Sequence, residues 1–189
     1  MKDIKKYNAI KRSVIDLIVT EGLSGASMSK IAKRANLSPS TIYVYFENRE
    51  KMISDIYIAS KIELSHFLLN NVDFAQDFKT VFKEVWRNLH NYILKNPNIY
   101  YFLEYFESSP HIDKIEDQKV MDVYFASLFA FIEKAKKMQV IKELPNEILR
   151  AFAMPPIAYV SKLHLKKAIN LTDELFEEML EMSWNAIKR

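Results

Sequence analysis

Between Ser38 and Lys51 the chain places five hydroxyl side chains (Ser38, Ser40, Thr41, Tyr43, Tyr45) and two cations (Arg49, Lys51) within fourteen residues. Short hydroxyls and tyrosines reach phosphate oxygens, Lys and Arg displace condensed counterions, and groove-facing side chains read base edges. This is recognition chemistry rather than bond-making chemistry. The rest of the sequence offers no rival constellation. There is no glycine-rich phosphate loop, no HExxH and no serine elbow, and the four histidines (His66, His90, His111, His164) stand far apart. Cys is absent, which excludes a disulfide framework and a thiolate metal site. No cofactor and no metal site is expected.

The elements that must position those side chains are marked locally. Ser27 precedes the periodic residues Met28, Ile31, Ala32 and Ala35, where its oxygen can accept the unpaired amides of a first helical turn. Asn36 follows the last of them and suits the left-handed residue that closes a helix. Ser38 and Pro39 then read as an N-cap and its first helical residue, because the missing proline N–H would be unpaired there anyway. In the helix so opened Ile42 and Phe46 point inward, while Ser40, Thr41, Tyr43 and Tyr45 face solvent. Asn48 caps the next helix. Two short helices joined by about three residues form a helix-turn-helix, whose second helix fits a DNA major groove. A surface helical hairpin without a partner has the same local pattern.

The motif decides between these. The stretch resembles the DNA-binding signature of the TetR family of bacterial transcription regulators, on Ser27, Ile31, Ala32, Ala35, Leu37, Ser38, Thr41, Ile42, Tyr43, Tyr45, Phe46, Arg49 and Glu50. It departs at Asn36 and Ser40, where the family has Gly and Gly or Ala. Asn36 can do the same backbone task; Ser40 sits where the chain approaches bases and so bears on operator sequence. The resemblance implies that Pro39, Ser40, Tyr43 and Val44 face bases, and that Ser27, Lys30, Ser38, Thr41, Tyr45, Arg49 and Lys51 hold phosphates. It further implies a helical body with a small-molecule pocket and a two-fold four-helix dimer interface. An alternative remains, a ligand-binding or interaction protein of the same fold that does not read DNA.

The whole chain suits this. Its 189 residues are 49% hydrophobic, with two glycines and six prolines, which leaves little room for β-hairpins and predicts an all-α fold. The expected division is a DNA-binding domain over 1–47 and a ligand-binding and dimerisation domain over 48–189. Residues 1–50 carry nine Lys/Arg against five Asp/Glu, the remainder 18 against 19, so positive charge gathers at the DNA-binding end. Charged residues follow Met1 in place of an apolar signal segment, and no uncharged run approaches the ~20 residues that span a bilayer. A cytoplasmic protein, without a membrane partner, is expected.

Helical periodicity continues over 3–21, 48–70, 74–95, 98–107 and 119–138. The third helix start leads a run of about 22 residues, ~33 Å, long enough to join a DNA-reading head to a separate body. Five aromatics fall within Tyr100–Phe106. They are core, or they line a ligand cavity with polar tips that need partners. For a cavity the candidates are Trp86, Asn88, Tyr101, Glu104, Tyr105, Tyr124, Phe125 and Phe129. A carboxylate at Glu104 or Glu107 among aromatics would favour a lipophilic cation. Glu104, Glu107 and His111 also have helical metal-ligand spacing, which Pro110 interrupts. Residues 146–168 are expected to kink or break at Pro155-Pro156. Beyond the N-cap Thr172, Leu175, Met179, Met182 and Ala186 form one stripe and Phe176, Leu180 and Ile187 the next, an apolar face wider than one neighbour needs, so part of it is free for a second copy of the chain. A last helix used entirely within its own chain is the alternative.

Overall fold

Every helix start marked by a polar residue in the sequence is capped by that residue. Ser27 Oγ accepts the Lys30 N–H, Ser38 Oγ that of Thr41, Asn48 Oδ1 that of Lys51, and Thr172 Oγ1 that of Leu175. Each such bond removes one orphan amide, a contribution of about 1 kcal/mol. Asp3 and Asp77 do the same for two further starts. Asn36 adopts φ 55°, ψ 45°, the left-handed conformation expected of a helix-closing residue, and its N–H bonds back to Ala32 and Lys33. Gly22, at φ 74° and ψ 177°, interrupts the first helix in a region that side-chain-bearing residues avoid.

The computed structural model describes residues 3–107 and 114–189, with 114–117 described by backbone alone. Among the described residues the elements are all α-helices: α1 (Ile4–Gly25), α2 (Met28–Ala35), α3 (Pro39–Tyr45), α4 (Arg49–Leu68), α5 (Phe78–Lys95), α6 (Pro97–Glu107), α7 (Lys114–Tyr124), α8 (Ala126–Lys137), α9 (Asn146–Leu165) and α10 (Asp173–Ile187). Pro110 and His111, and with them the interrupted metal-ligand triplet, lie outside the described residues.

The chain forms two compact units, Met1–Ile62 with Pro97–Val120, and Glu63–Asn96 with Met121–Arg189. The two units divide within α4, between Ile62 and Glu63. The first half of α4 buries Met52, Ile53, Ile56 and Tyr57 in the first unit. α6 joins it through the Tyr57–Phe106 ring contact and the Asn98–Asp16 hydrogen bond of 2.9 Å. Periodicity cannot see this, because the partners of these two contacts lie more than forty residues apart in sequence. In the same unit Ile10, Val14, Leu17 and Ile18 of α1 are buried, as are Ile31, Ala32, Ile42 and Phe46. Burying each large side chain contributes ~1.5–3 kcal/mol. The second unit has its own core, Phe82, Ala135, Ile141, Leu149, Ala153, Trp184 and Ile187, from α5, α8, α9, α10 and the α8–α9 connection.

Three expectations about elements change. The helix expected over 119–138 is divided at Phe125, which stands outside helical geometry at φ −111°, ψ 9° with its ring buried. The helix expected from 74 starts at Phe78, because the Asp77 carboxylate captures the amides of Lys79 and Thr80. α9 runs through Pro155 and Pro156 without ending. The carbonyls deprived of a proline N–H belong to Ala151 and Phe152, both exposed, so water can satisfy them.

Candidate nucleic-acid interface

α3 is seven residues long and turns two faces outward and inward in strict alternation with its period. Ile42 is fully buried and Phe46 behind it nearly so, while Pro39, Ser40, Tyr43 and Val44 are exposed together on the opposite side. Tyr43 and Val44 keep 55% and 66% of their surface in solvent. Two large side chains are thus held outward by a helix whose other face is anchored.

The residues expected on phosphates divide into two groups. Ser27, Ser38 and Thr41 sit at helix starts beside unpaired backbone amides. Ser38 Oγ lies 2.8 Å from both the Ser40 and the Thr41 hydroxyls, a small cluster of donors at the N-terminus of α3. Lys30 is exposed and pairs with Glu21 at 2.7 Å; Lys51 pairs with Asp55 at 2.9 Å. Such exposed pairs contribute little to stability and exchange partners readily.

Arg49 and Tyr45 make bonds within the chain. Arg49 donates from Nε to the Ala26 carbonyl at 2.8 Å and from Nη2 to the Leu23 carbonyl, closing the turn between α1 and α2. The Tyr45 hydroxyl donates to the Asp3 carbonyl at 3.2 Å and accepts the Asp3 N–H at 3.1 Å, tying the end of α3 to the start of α1. Both tasks depend on partners more than twenty residues away, so no local signal in the sequence announced them.

The candidates for an effector cavity fall in both compact units. Tyr101, Glu104 and Tyr105 belong to the first unit; Trp86, Asn88, Tyr124, Phe125 and Phe129 belong to the second. Glu104 and Glu107 are both exposed, which removes the basis for a cation site on α6. Tyr105 is also exposed. Trp86 packs against the core of the second unit, edge-on to Phe82 at 6.0 Å. Asn88 donates to the carbonyls of Leu68 and Asn70, at 2.9 and 3.2 Å, and so closes the C-terminus of α4. Phe125 is buried and lies 6.4 Å from Phe129, and Tyr124 meets His66 edge-on at 5.7 Å. Sequence reasoning passed over Glu84 and Tyr92 on α5. Glu84 Oε2 and the Tyr92 hydroxyl are buried and have no hydrogen-bond partner. The one signal for the first was a glutamate inside the apolar run of α5.

On α9 and α10, Phe152, Tyr159 and Met182 are exposed, with Ile148 and Leu175 beside them in the same heptad-like spacings. No described helix is long and apolar enough to cross a membrane.

Comparison with known proteins agrees with this geometry. Residues 15–56 match the model of bacterial regulatory proteins of the tetR family, and residues 77–188 match the tetracyclin repressor-like C-terminal domain. The chain is 26% identical over 173 residues to an uncharacterized HTH-type transcriptional regulator of Haemophilus influenzae, covering 92% of this chain and 90% of that protein. A shorter match, 35% over 52 residues, covers 28% of this chain and 27% of the fatty acid metabolism regulator protein of Bacillus subtilis. The crystal structure of a TetR family transcription regulator from Marinobacter aquaeolei superposes with a TM-score of 0.90 at 25% identity, covering 98% of this chain and 97% of that one. A helix-turn-helix with an anchored inner and an open outer face, joined to a helical second unit, is thus the architecture of a transcription regulator rather than an enzyme, and the chain belongs to the TetR family.

Proposed function

We propose that the protein is a ligand-responsive repressor that binds a palindromic operator as a homodimer in the bacterial cytoplasm and is released by a small lipophilic effector. The observation that carries the DNA-reading part is the exposed face of α3, with Pro39, Ser40, Tyr43 and Val44 on bases. Ser27, Lys30, Ser38, Thr41 and Lys51 flank it as phosphate contacts. The dimer draws support from α9 and α10. Tyr159 and Met182, at 61% and 73% exposed, are costly to leave in water and belong to a stripe of the width a helix pair covers. Two copies of α3 then need a separation of about 34–36 Å to enter successive major grooves.

Effector control draws support from α4, whose residues up to Ile62 belong to one compact unit and whose last six residues belong to the other. A ligand that prefers one arrangement of the C-terminal turns of α4 shifts the population of operator-competent heads by its differential affinity. The test is selection from a pool of random duplexes at defined salt, followed by sequencing. An enriched palindrome with half-sites one helical turn apart is the expected result. Salt-sensitive binding without an enriched sequence would favour a protein of this fold that does not read DNA.

A further inference from the structure

Two buried polar atoms of α5 point to what the second unit binds. Tyr92 is wholly enclosed, at 0% exposure, yet its hydroxyl has no partner. Glu84 Oε2, two turns earlier on the same flank, is also buried and unpartnered. Between them Asn88 bonds to the carbonyls at the end of α4, so the line of residues 84, 88 and 92 faces the last turns of that helix. The Tyr92 ring meets Phe67 edge-on at 5.3 Å, and Glu63 lies one turn before Phe67 on α4. Folded proteins leave few such atoms unpaired, and two on one flank of one helix call for a common cause.

We infer that Glu84 and Tyr92 are the polar contacts of a lipophilic effector carrying an ammonium or comparable cationic N–H group. This rests on the effector response proposed above and names its ligand class. A buried carboxyl oxygen without a partner calls for a hydrogen-bond donor, and a cationic N–H is the strongest donor to such an oxygen. Burial, and then the charge of Glu63 on α4, pushes the Tyr92 phenol well above its ordinary value, which keeps it a neutral hydroxyl. Phe67 already receives Lys95 Nζ at 5.4 Å, so rings of this region accept cations on their faces. Residues 84 and 92 are ~12 Å apart along the helix axis. The arrangement disfavours a fatty-acid carboxylate, which would face two like charges.

Calorimetric titration of the full chain with decylammonium, decanoate and decanol tests this, because the three probes share one tail and differ in head charge. Decylammonium is expected to bind at least about tenfold more tightly than decanoate, a difference of ~1.4 kcal/mol. Glu84→Gln should abolish that ratio. Tyr92→Phe, which keeps the ring and removes the hydroxyl alone, should weaken decylammonium several-fold without lowering Tm. An unchanged ratio in Glu84→Gln, equal or tighter binding of decanoate, or no decylammonium binding would overturn the inference. Should Glu84→Gln fail to fold, wild-type affinity in Tyr92→Phe overturns it equally. Operator affinity measured in the same samples separates the two readings. Release by decanoate or decanol alone leaves an effector response standing and overturns the cationic class. Decylammonium binding that leaves operator affinity untouched supports the site and removes the effector response.

Discussion

The helix-turn-helix and the second unit treat their polar groups in opposite ways. Around α3 the hydroxyls of Ser38, Ser40 and Thr41 bond to one another and to backbone amides, and every side chain assigned to DNA lies at or near the surface. Along α5 two polar atoms, Glu84 Oε2 and the Tyr92 hydroxyl, are buried and left unpaired. A surface that reads phosphate needs no rearrangement and can be fully satisfied before its partner arrives. A buried site that responds to a ligand keeps part of its hydrogen bonding for that ligand. The first is built from neighbours in sequence, the second from helices brought together by folding.

That contrast can be broken first at Arg49. If its guanidinium serves the α1–α2 turn, Arg49→Ala should lower unfolding free energy by about 2 kcal/mol, because two buried-side carbonyls lose a charged donor. Thermal denaturation measures this, and an unchanged Tm with weakened DNA binding would return Arg49 to the phosphates. Asn88→Ala should cost about 1–2 kcal/mol by freeing the carbonyls of Leu68 and Asn70. A larger loss of ligand affinity than of stability would mean that Asn88 contacts the effector after all. Tyr45→Phe, which deletes a hydroxyl with two bonds to Asp3, should cost about 1 kcal/mol. Its effect on operator affinity should disappear in a variant lacking the residues before Ile4.

The smallest effect concerns pH and lies at the junction of α5, α9 and α10. Ser161 Oγ donates to the Ile157 carbonyl and so accepts from His90 Nδ1 at 2.8 Å, while Phe176 lies against the ring at 4.5 Å. Burial, and then the charge of His164, hold the His90 pKa below its ordinary 6.5, against an opposing pull from Asp173. The unfolded chain therefore takes up a proton at His90 more readily than the folded one. Stability from this group is complete above about pH 6.5 and falls as the pH drops below it. Urea unfolding at pH 7.5 and 5.5 should show a loss that His90→Gln reduces; an equal loss in both proteins would place the titration elsewhere.

The sequence disclosed what depends on near neighbours. Ser27, Asn36, Ser38, Asn48 and Thr172 all perform the capping expected of them, since a cap and its amide are two or three residues apart. The inward pair Ile42 and Phe46 is equally local. What remained hidden depends on distant contacts. Trp86 packs against a cluster completed by α8, α9 and α10, Glu104 is exposed because α6 turns Phe102 and Phe106 inward, and Asn88 is occupied by the end of α4. Pro155 and Pro156 were readable as helix breakers, but their exposure decides the outcome, and exposure is a tertiary property.

The claim on which most of this rests is that the outer face of α3 reads sequence. Fluorescence anisotropy of Tyr43→Ala on the selected operator, and on an unrelated duplex, at one fixed salt concentration, tests it directly. Tyr43 is exposed and holds no helix in place, so the fold should be unaffected. Operator affinity should fall at least about tenfold, within the ~1–3 kcal/mol of a base-reading contact, while binding to the unrelated duplex stays the same. Unchanged operator affinity would mean that another surface of the protein does the reading.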